Sequence, residues 1–307
     1  MSKDNMFLGY ARGKVGSVVF SRLKGQQIAR AHNAHPANPK SRPQMVQRMK
    51  LGTAVAYYKL AVGKFFKFAF EDKKTVSSDY NEFVKRNVEL VPYVTRENRR
   101  SGAMPVAPLV MSSGSLAQIR VTNTVVVPTS GSYANNALIQ LQNVATEFAG
   151  IDPGEYTDVG ELSQGIIDQN PNVFQNGDLL TLVSFRQSDP DEGILEFAYE
   201  QFKLDVTSTA ALSTLTSGAI LNLEGTPSGL YANFGRFSST VSTSEQFGLA
   251  IIVTRNVEGK IYASDSEIAL NTAASTAYSS YRTEATQIAA TDSYGVGFTA
   301  ILNPEGK

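Results

Sequence analysis

The chain has 307 residues, 42% hydrophobic and 18% charged, a composition typical of globular proteins and a length sufficient for two domains. It has no cysteine, which excludes disulfides, thiolate zinc sites and a cysteine nucleophile. The net charge of zero hides two opposite parts: residues 1–100 hold 20 Lys and Arg against 7 Asp and Glu, a net of +13, whereas residues 101–307 hold 8 against 21, a net of −13.

The N-terminal residues predict a basic β-hairpin. Val15 to Leu23 is rich in β-forming residues, Lys24-Gly25 is the predicted turn, and Gln26 to Ala31 returns antiparallel. A proline-rich stretch follows and predicts an extended loop. The first residues lack the apolar core of a signal peptide, and no window approaches 18 uninterrupted apolar residues, so we expect a location in a virion or the cytoplasm and no membrane span.

The next element is a predicted long helix from Ser41 to Asp72, with Ser41 as N-cap. Two stripes of apolar residues run along two faces of this helix, so we expect it to be packed between other elements or between subunits. Gly52 and Gly63 weaken it by up to roughly 1 kcal/mol each and predict close backbone packing. The first stripe consists of Leu51, Val55, Tyr58, Val62, Phe65 and Ala69, and the second of Met45, Met49, Ala56 and Leu60.

A shorter helix with Ser77 or Ser78 as its cap is predicted to end before Pro92. Residues 101–115 contain two prolines, two glycines and four serines but no charge, which predicts a linker. The predicted domains are therefore a basic hairpin and helical domain at residues 1–100 and an acidic domain at residues 116–307.

From Leu116 onward, seven to nine short strands with regular turns predict an antiparallel β-sandwich. The fold class is thus mainly β with an α+β N-terminal region. Asn256 to Gly259 is a predicted hairpin turn, Gly150 to Gly177 an acidic surface loop, and Asn271 to Asp292 a helix or a mobile arm. The strand candidates are 119–127, 137–144, 179–186, 194–206, 219–223, 230–237, 247–255, 260–270 and 296–302.

Motifs for catalysis and for cofactors are absent from the sequence. Gly13-Lys14 lacks the spacing and the hydroxyl of a phosphate-binding loop, and His32 and His35 have no neighbouring carboxylates to complete a metal site. The acidic residues Asp152 to Glu161 do not follow the EF-hand pattern. We therefore expect no enzymatic activity, no cofactor and no metal.

A run of basic residues is the strongest functional feature of the sequence. Eight cations lie within 37 residues that contain no acidic residue, which is typical of a surface that contacts phosphates without reading bases. A protein partner or the acidic domain of this chain is an equal alternative. The predicted contact residues are Lys14, Arg22, Lys24, Arg30, Lys40, Arg42, Arg48 and Lys50.

Three segments resemble an uncharacterised protein family of Bacteroidetes and of their mobile elements. They are GKVGSVVFSRLKGQQIAR from Gly13, NPKSRPQMVQRMK from Asn38 and AIIVTRNVEGKIYASDSEIAL from Ala250. The resemblance implies an immunoglobulin-like sandwich formed by the C-terminal strands. It implies no activity and no site residues.

These features favour a non-enzymatic structural protein that self-associates or joins another structural subunit. A component of a bacteriophage virion fits the helix with two apolar faces, the strand-rich sandwich and the absence of a catalytic set. In that reading the basic N-terminal region contacts DNA, RNA or a partner subunit. The alternatives are a cellular nucleic-acid-binding module and a carbohydrate-binding or adhesion sandwich.

Overall fold

The structure is a computed structural model that describes residues 12–23, 26–35, 40–61, 69–73, 77–122, 126–128, 137–188, 193–212, 230–233 and 245–295. The chain divides into two compact units, residues 1–41 and residues 42–307, here called the N-terminal unit and the main unit. The division thus follows Ser41 and does not fall within residues 101–115, the predicted linker.

The N-terminal unit contains an antiparallel sheet of three strands, β1 (Gly13–Val15), β2 (Val18–Leu23) and β3 (Gln26–Ala31), in that order. Strands β2 and β3 confirm the predicted hairpin. Strand β1 was not expected, because its three residues are too few for a recognisable pattern. It turns into β2 at Gly16, whose φ of +58° a glycine adopts without strain.

The main unit combines helices with short and long strands. Its described helices are α1 (Arg42–Leu60), α2 (Asp79–Asn87), α3 (Arg96–Ser101), α4 (Leu141–Val144), α5 (Val159–Gln169), α6 (Thr272–Ser280) and α7 (Glu284–Asp292), with 3-10 turns at Thr146–Phe148 and Pro153–Glu155. Its described strands are β4 (Val110–Ser112), β5 (Val126–Pro128), β6 (Ala137–Gln140), β7 (Leu179–Gln187), β8 (Glu196–Lys203), β9 (Tyr231–Asn233), β10 (Gln246–Val257), β11 (Lys260–Ala263), β12 (Ser266–Glu267) and β13 (Ala269–Leu270).

A central antiparallel sheet in the order β11-β10-β7-β8, with β13 also paired to β10, forms the middle of the main unit. Alternate residues of β7 and β10 enter two separate hydrophobic clusters, as the two-residue period of a strand requires. Leu182 and Ile251 lie in the cluster that contains Leu162 of α5, whereas Val183 and Ile252 lie in the cluster that contains Tyr57 of α1. Helices α1 and α5 therefore cover opposite faces of the central sheet.

The predicted fold class is confirmed in its coarser terms, since the chain has mixed α and β content and antiparallel sheets. The turn at Asn256 to Gly259 joins β10 to β11 as expected, with Glu258 and Gly259 both at positive φ. The immunoglobulin-like sandwich stays a prediction. The candidate strands at 219–223 and 296–302 lie outside the described residues.

Helix α1 buries a different face from the one that the first predicted stripe indicates. Leu51 is 48% exposed, and Tyr58 is half-buried against the rings of Tyr80 and Phe83 at 5.1 and 5.5 Å between ring centres. Apolar residues occur almost all round the helix, so the period alone does not select the inner face. The buried face consists of Met45, Met49, Lys50, Thr53, Ala54 and Tyr57.

Residues 103–111, inside the predicted linker, are packed into the core of the main unit and nearly all of them are buried. The buried side chain of Asn87 holds this segment, because its Nδ2 donates to Val110 O at 2.9 Å and its Oδ1 accepts from Val110 N at 2.8 Å. Strand β4 then pairs with β12. Small and uncharged residues resemble a linker in composition, but here they allow an extended segment to pack closely.

The predicted acidic surface loop from Gly150 to Gly177 is wrong, because it contains helix α5. Asp158 caps this helix by accepting from Glu161 N at 2.8 Å, and Leu162 and Ile166 are buried on its inner face. Asp158 and Glu161 thus lie at the N-terminus of this helix, and Asp152 and Glu155 lie at the 3-10 turn before it. Residues 271–292 form α6 and α7, which confirms the helical alternative. Within the described residues, no helix has the length and apolar character needed to cross a bilayer.

Candidate nucleic-acid interface

The predicted contact residues are divided between the two units. Lys14, Arg22, Arg30 and Lys40 belong to the N-terminal unit, whereas Arg42, Arg48 and Lys50 belong to the main unit. Lys24 lies outside the described residues. The structure therefore brings the cations together only in part, and each unit has its own set.

Strand register places two of the cations on one face of the N-terminal sheet. Lys14 of β1 lies opposite Val19 of β2, and Val19 lies opposite Arg30 of β3. Residues directly opposite each other in neighbouring strands point to the same side of a sheet. Lys14 and Arg30 therefore flank Val19 on one face, which we call the cationic face.

Arg22 lies on the other face of the same sheet, opposite Gln27, because it is an odd number of residues from Val19. This second face is mainly apolar. Its members are Val15, Val18, Phe20, Arg22, Gln27, Ala29 and Ala31. Lys14, Arg22 and Arg30 belong to one basic run in the sequence, but the two-residue period of the strands places Arg22 on the opposite face from the other two.

The N-terminal sheet has little internal support. Every residue of β1 and β3 is exposed, and Val15 is 65% exposed. Among the side chains that the structure describes in this unit, none is buried. Isolated sheets of two or three strands are marginal in water unless a hydrophobic face is covered, and the described residues of this unit supply little of that cover.

The N-terminal unit carries a strong excess of positive charge. No acidic residue occurs between Asp4 and Glu71, and residues 1–41 hold seven Lys and Arg against one Asp, a net of +6. Arg12 is exposed just before β1 and adds to the positive charge of this unit, although it is not among the predicted contact residues.

Lys50 is unavailable as a contact residue. It is buried in α1 and forms an ion pair with Glu89. In the main unit Arg48 is exposed and Arg42 is half-buried. In the N-terminal unit Lys40 is exposed and has a φ of +48°. Helix α1 therefore presents Arg48, and not Lys50, on its outer side.

The other candidate groups serve local structure. His32 and His35 are exposed, and the backbone N of His35 donates to Asn33 Oδ1 at 3.0 Å. The carboxylate of Glu161 accepts from the backbone N and the hydroxyl of Thr157 at 2.8 and 2.7 Å, and these bonds lower the pKa of Glu161. In the part of the chain that the structure describes, no group of three or more His, Asp or Glu side chains could hold a metal ion.

The cationic face therefore presents two exposed cations, Lys14 and Arg30, on either side of Val19. Comparisons of the chain with models of protein families, with curated proteins and with solved structures found no match.

Proposed function

We propose that this protein is a non-enzymatic structural protein, a component of a bacteriophage virion, whose N-terminal unit contacts nucleic acid through its cationic face. The observation that carries the proposal is the exposed N-terminal sheet, which has Lys14 and Arg30 on one face, on either side of Val19, and no buried side chain among those described. A sheet of this kind gains its order from a partner, and its charge favours a polyanion.

Phosphate contact explains why the cations need no base-reading neighbours. Binding to the backbone of nucleic acid depends on the number of phosphates neutralised and on the counterions released. A structural protein that binds nucleic acid of any sequence requires only these contacts with phosphates. The C-terminal immunoglobulin-like sandwich belongs to the same proposal, and the support for it is the run of antiparallel strands after residue 178.

The test is a titration of fluorescent duplex DNA of mixed sequence with the full chain at several salt concentrations. Each phosphate contact contributes about −0.9 to the slope of log K against log salt. The double variant Lys14→Ala/Arg30→Ala should therefore flatten this slope by about 2. Arg22→Ala is the control for the single variants Lys14→Ala and Arg30→Ala: it removes one charge from the opposite face and should leave the slope nearly unchanged, whereas each of them should flatten it by about 1.

Three results would overturn the proposed contact. They are an absence of binding at low salt, binding that persists at high salt, and a control that flattens the slope as much as the single variants do. The first would favour a partner subunit with an acidic surface, which is the alternative occupant of this face.

A further inference from the structure

The main unit has a groove along the outer side of α1. Its volume is about 470 Å³, and its lining includes Arg48, Leu51, Gly52, Val55, Lys59 and Arg99. Leu51 forms part of an aliphatic floor and is 48% exposed, while the cations lie around it. We call this feature the α1 groove.

Gly52 shapes this groove by allowing Arg99 of α3 to lie across α1. A Cβ atom at position 52 would be 1.9 Å from Arg99 Nη1, so a larger residue there would displace the guanidinium group. The guanidinium also lies over the ring of Tyr294, at 5.1 Å from its centre. The sequence predicts close backbone packing at Gly52, but this glycine makes room for a side chain and so positions a cation at the groove.

A surface of opposite character lies at α5, and we call it the acidic tyrosine surface. Tyr156 is half-buried and its hydroxyl lies against Gly165, where a Cβ atom would be 2.3 Å away. Burial and the nearby carboxylates of Glu155, Asp152 and Asp168 raise the pKa of Tyr156. All three carboxylates belong to exposed residues.

We propose that the α1 groove of one copy binds the acidic tyrosine surface of a second copy of this chain. The groove has an aliphatic floor with Lys59 and Arg99 beside it, and the surface has the exposed part of the half-buried Tyr156, which lines one depression together with Glu155 and Asp168. Both the charges and the apolar parts are therefore complementary. Nucleic acid is a poorer occupant, since phosphates gain nothing from the exposed Leu51 and the half-buried Val55.

The two surfaces cannot meet within one chain. Helix α1 packs into the cluster on one face of the central sheet, and α5 packs into the cluster on the other. Contact between them must join different copies, head to tail. Such a contact produces a ring when the rotation closes and a filament when it does not. This inference rests on the proposed structural role and states how the copies would associate.

The test is a charge swap measured by light scattering after size-exclusion chromatography of the full chain. Lys59→Glu/Arg99→Glu makes the groove acidic, and Glu155→Lys/Asp168→Lys makes the tyrosine surface basic. Each double variant should weaken self-association by about 100-fold or more, since like charges then face each other. An equimolar mixture of the two variants should associate again, because each supplies the charges that the other has lost.

Each control reverses one charge at a residue that lines neither surface, and it is compared with the single variants Arg99→Glu and Asp168→Lys, which reverse one charge within them. Arg100→Glu lies beside Arg99 on α3 and is exposed without lining the groove, and Glu258→Lys lies in the exposed turn after β10. Both should associate as the unaltered chain does. Gly52→Ala is an independent probe, because alanine favours the helix by up to about 1 kcal/mol while it displaces Arg99. It should weaken association without lowering the melting temperature.

The proposal is overturned if the unaltered chain stays monomeric at high concentration, if either double variant associates normally, or if the mixture fails to associate. Loss of DNA binding in the groove variant with unchanged association would also overturn it, and would assign the groove to phosphates. The salt slope of the cationic face is a separate measurement. A failure of one proposal can therefore be distinguished from a failure of the other.

Discussion

The N-terminal sheet and the central sheet are both antiparallel and rich in β-forming residues, yet their surroundings differ completely. All six residues of β3 are exposed, whereas eight of the nine residues of β7 are buried. Strand β7 has β8 and β10 beside it and a hydrophobic cluster on each face. Similar local patterns therefore form strands in both sheets, whereas the packing against their faces determines how stable each sheet is.

The two units also differ in net charge, but the difference is smaller than that between residues 1–100 and residues 101–307. With 7 Lys and Arg against 1 acidic residue, residues 1–41 have a net charge of +6, and with 21 against 27, residues 42–307 have a net charge of −6. Much of the basic excess of residues 1–100 thus belongs to the main unit. There it contributes cations to the α1 groove and to ion pairs such as that of Lys50 with Glu89.

Hydrogen exchange should show the largest difference between the two sheets. Amides of β7 and β10 should exchange only through global unfolding, with opening free energies of about 5–15 kcal/mol, whereas those of β1 to β3 should open at on the order of 1 kcal/mol. Limited proteolysis should correspondingly spare residues 103–111 and cut first in the N-terminal unit. Equal protection of both sheets would show that the N-terminal sheet is covered in the free protein.

Truncation of one phenylalanine in each sheet should show the same difference in packing. Phe185 of β7 is 1% exposed, so Phe185→Ala should lower the free energy of unfolding by about 3–5 kcal/mol. Phe20 of β2 is only half-buried, and Phe20→Ala should cost about 1 kcal/mol or less. Urea unfolding followed by tyrosine fluorescence measures the Phe185 variant, because 12 of the 13 tyrosines lie in the main unit, and hydrogen exchange of the β2 amides measures the Phe20 variant. A comparable loss for both variants would contradict the difference in packing.

Acid should act on the main unit and leave the N-terminal sheet unaffected. Burial raises the pKa of Glu71, but hydrogen bonds from the backbone of Ser115 and Ala263 and from the Ser115 hydroxyl lower it further, so the pKa is below its usual value. The stabilisation is fully present above the ordinary pKa and is lost as the pH falls through the folded-state pKa.

Glu71→Gln should therefore destabilise the chain at pH 7 by on the order of 1 kcal/mol and flatten the pH dependence below about pH 5. Urea unfolding at several pH values measures both effects, and Glu258→Gln, in an exposed turn, is the control. Asp4 is the only carboxylate side chain in residues 1–41, so exchange rates of β1 to β3, corrected for pH, should not follow this titration. An unchanged pH profile for Glu71→Gln would refute the role of these bonds.

The sequence alone determined those elements that depend only on residues close together in the chain. The hairpin of β2 and β3, the turn at Asn256 to Gly259 and the strands β7 and β10 follow from β-forming runs between turn residues. Ser78 caps α2 by accepting from Asn81 N at 3.2 Å, and it is one of the two alternatives that the sequence predicts for this cap. The cations of the candidate interface were also found by counting charges along the chain.

Only the tertiary structure decided which residues share a surface. Strand register separated Arg22 from Lys14 and Arg30, and an ion pair with a residue 39 positions away removed Lys50 from the interface. Helix α1 has apolar residues on several sides, so contacts with distant residues selected its buried face. The same contacts placed residues 103–111 in the core. Burial depends on partners far away in the sequence, and a local pattern carries no information about them.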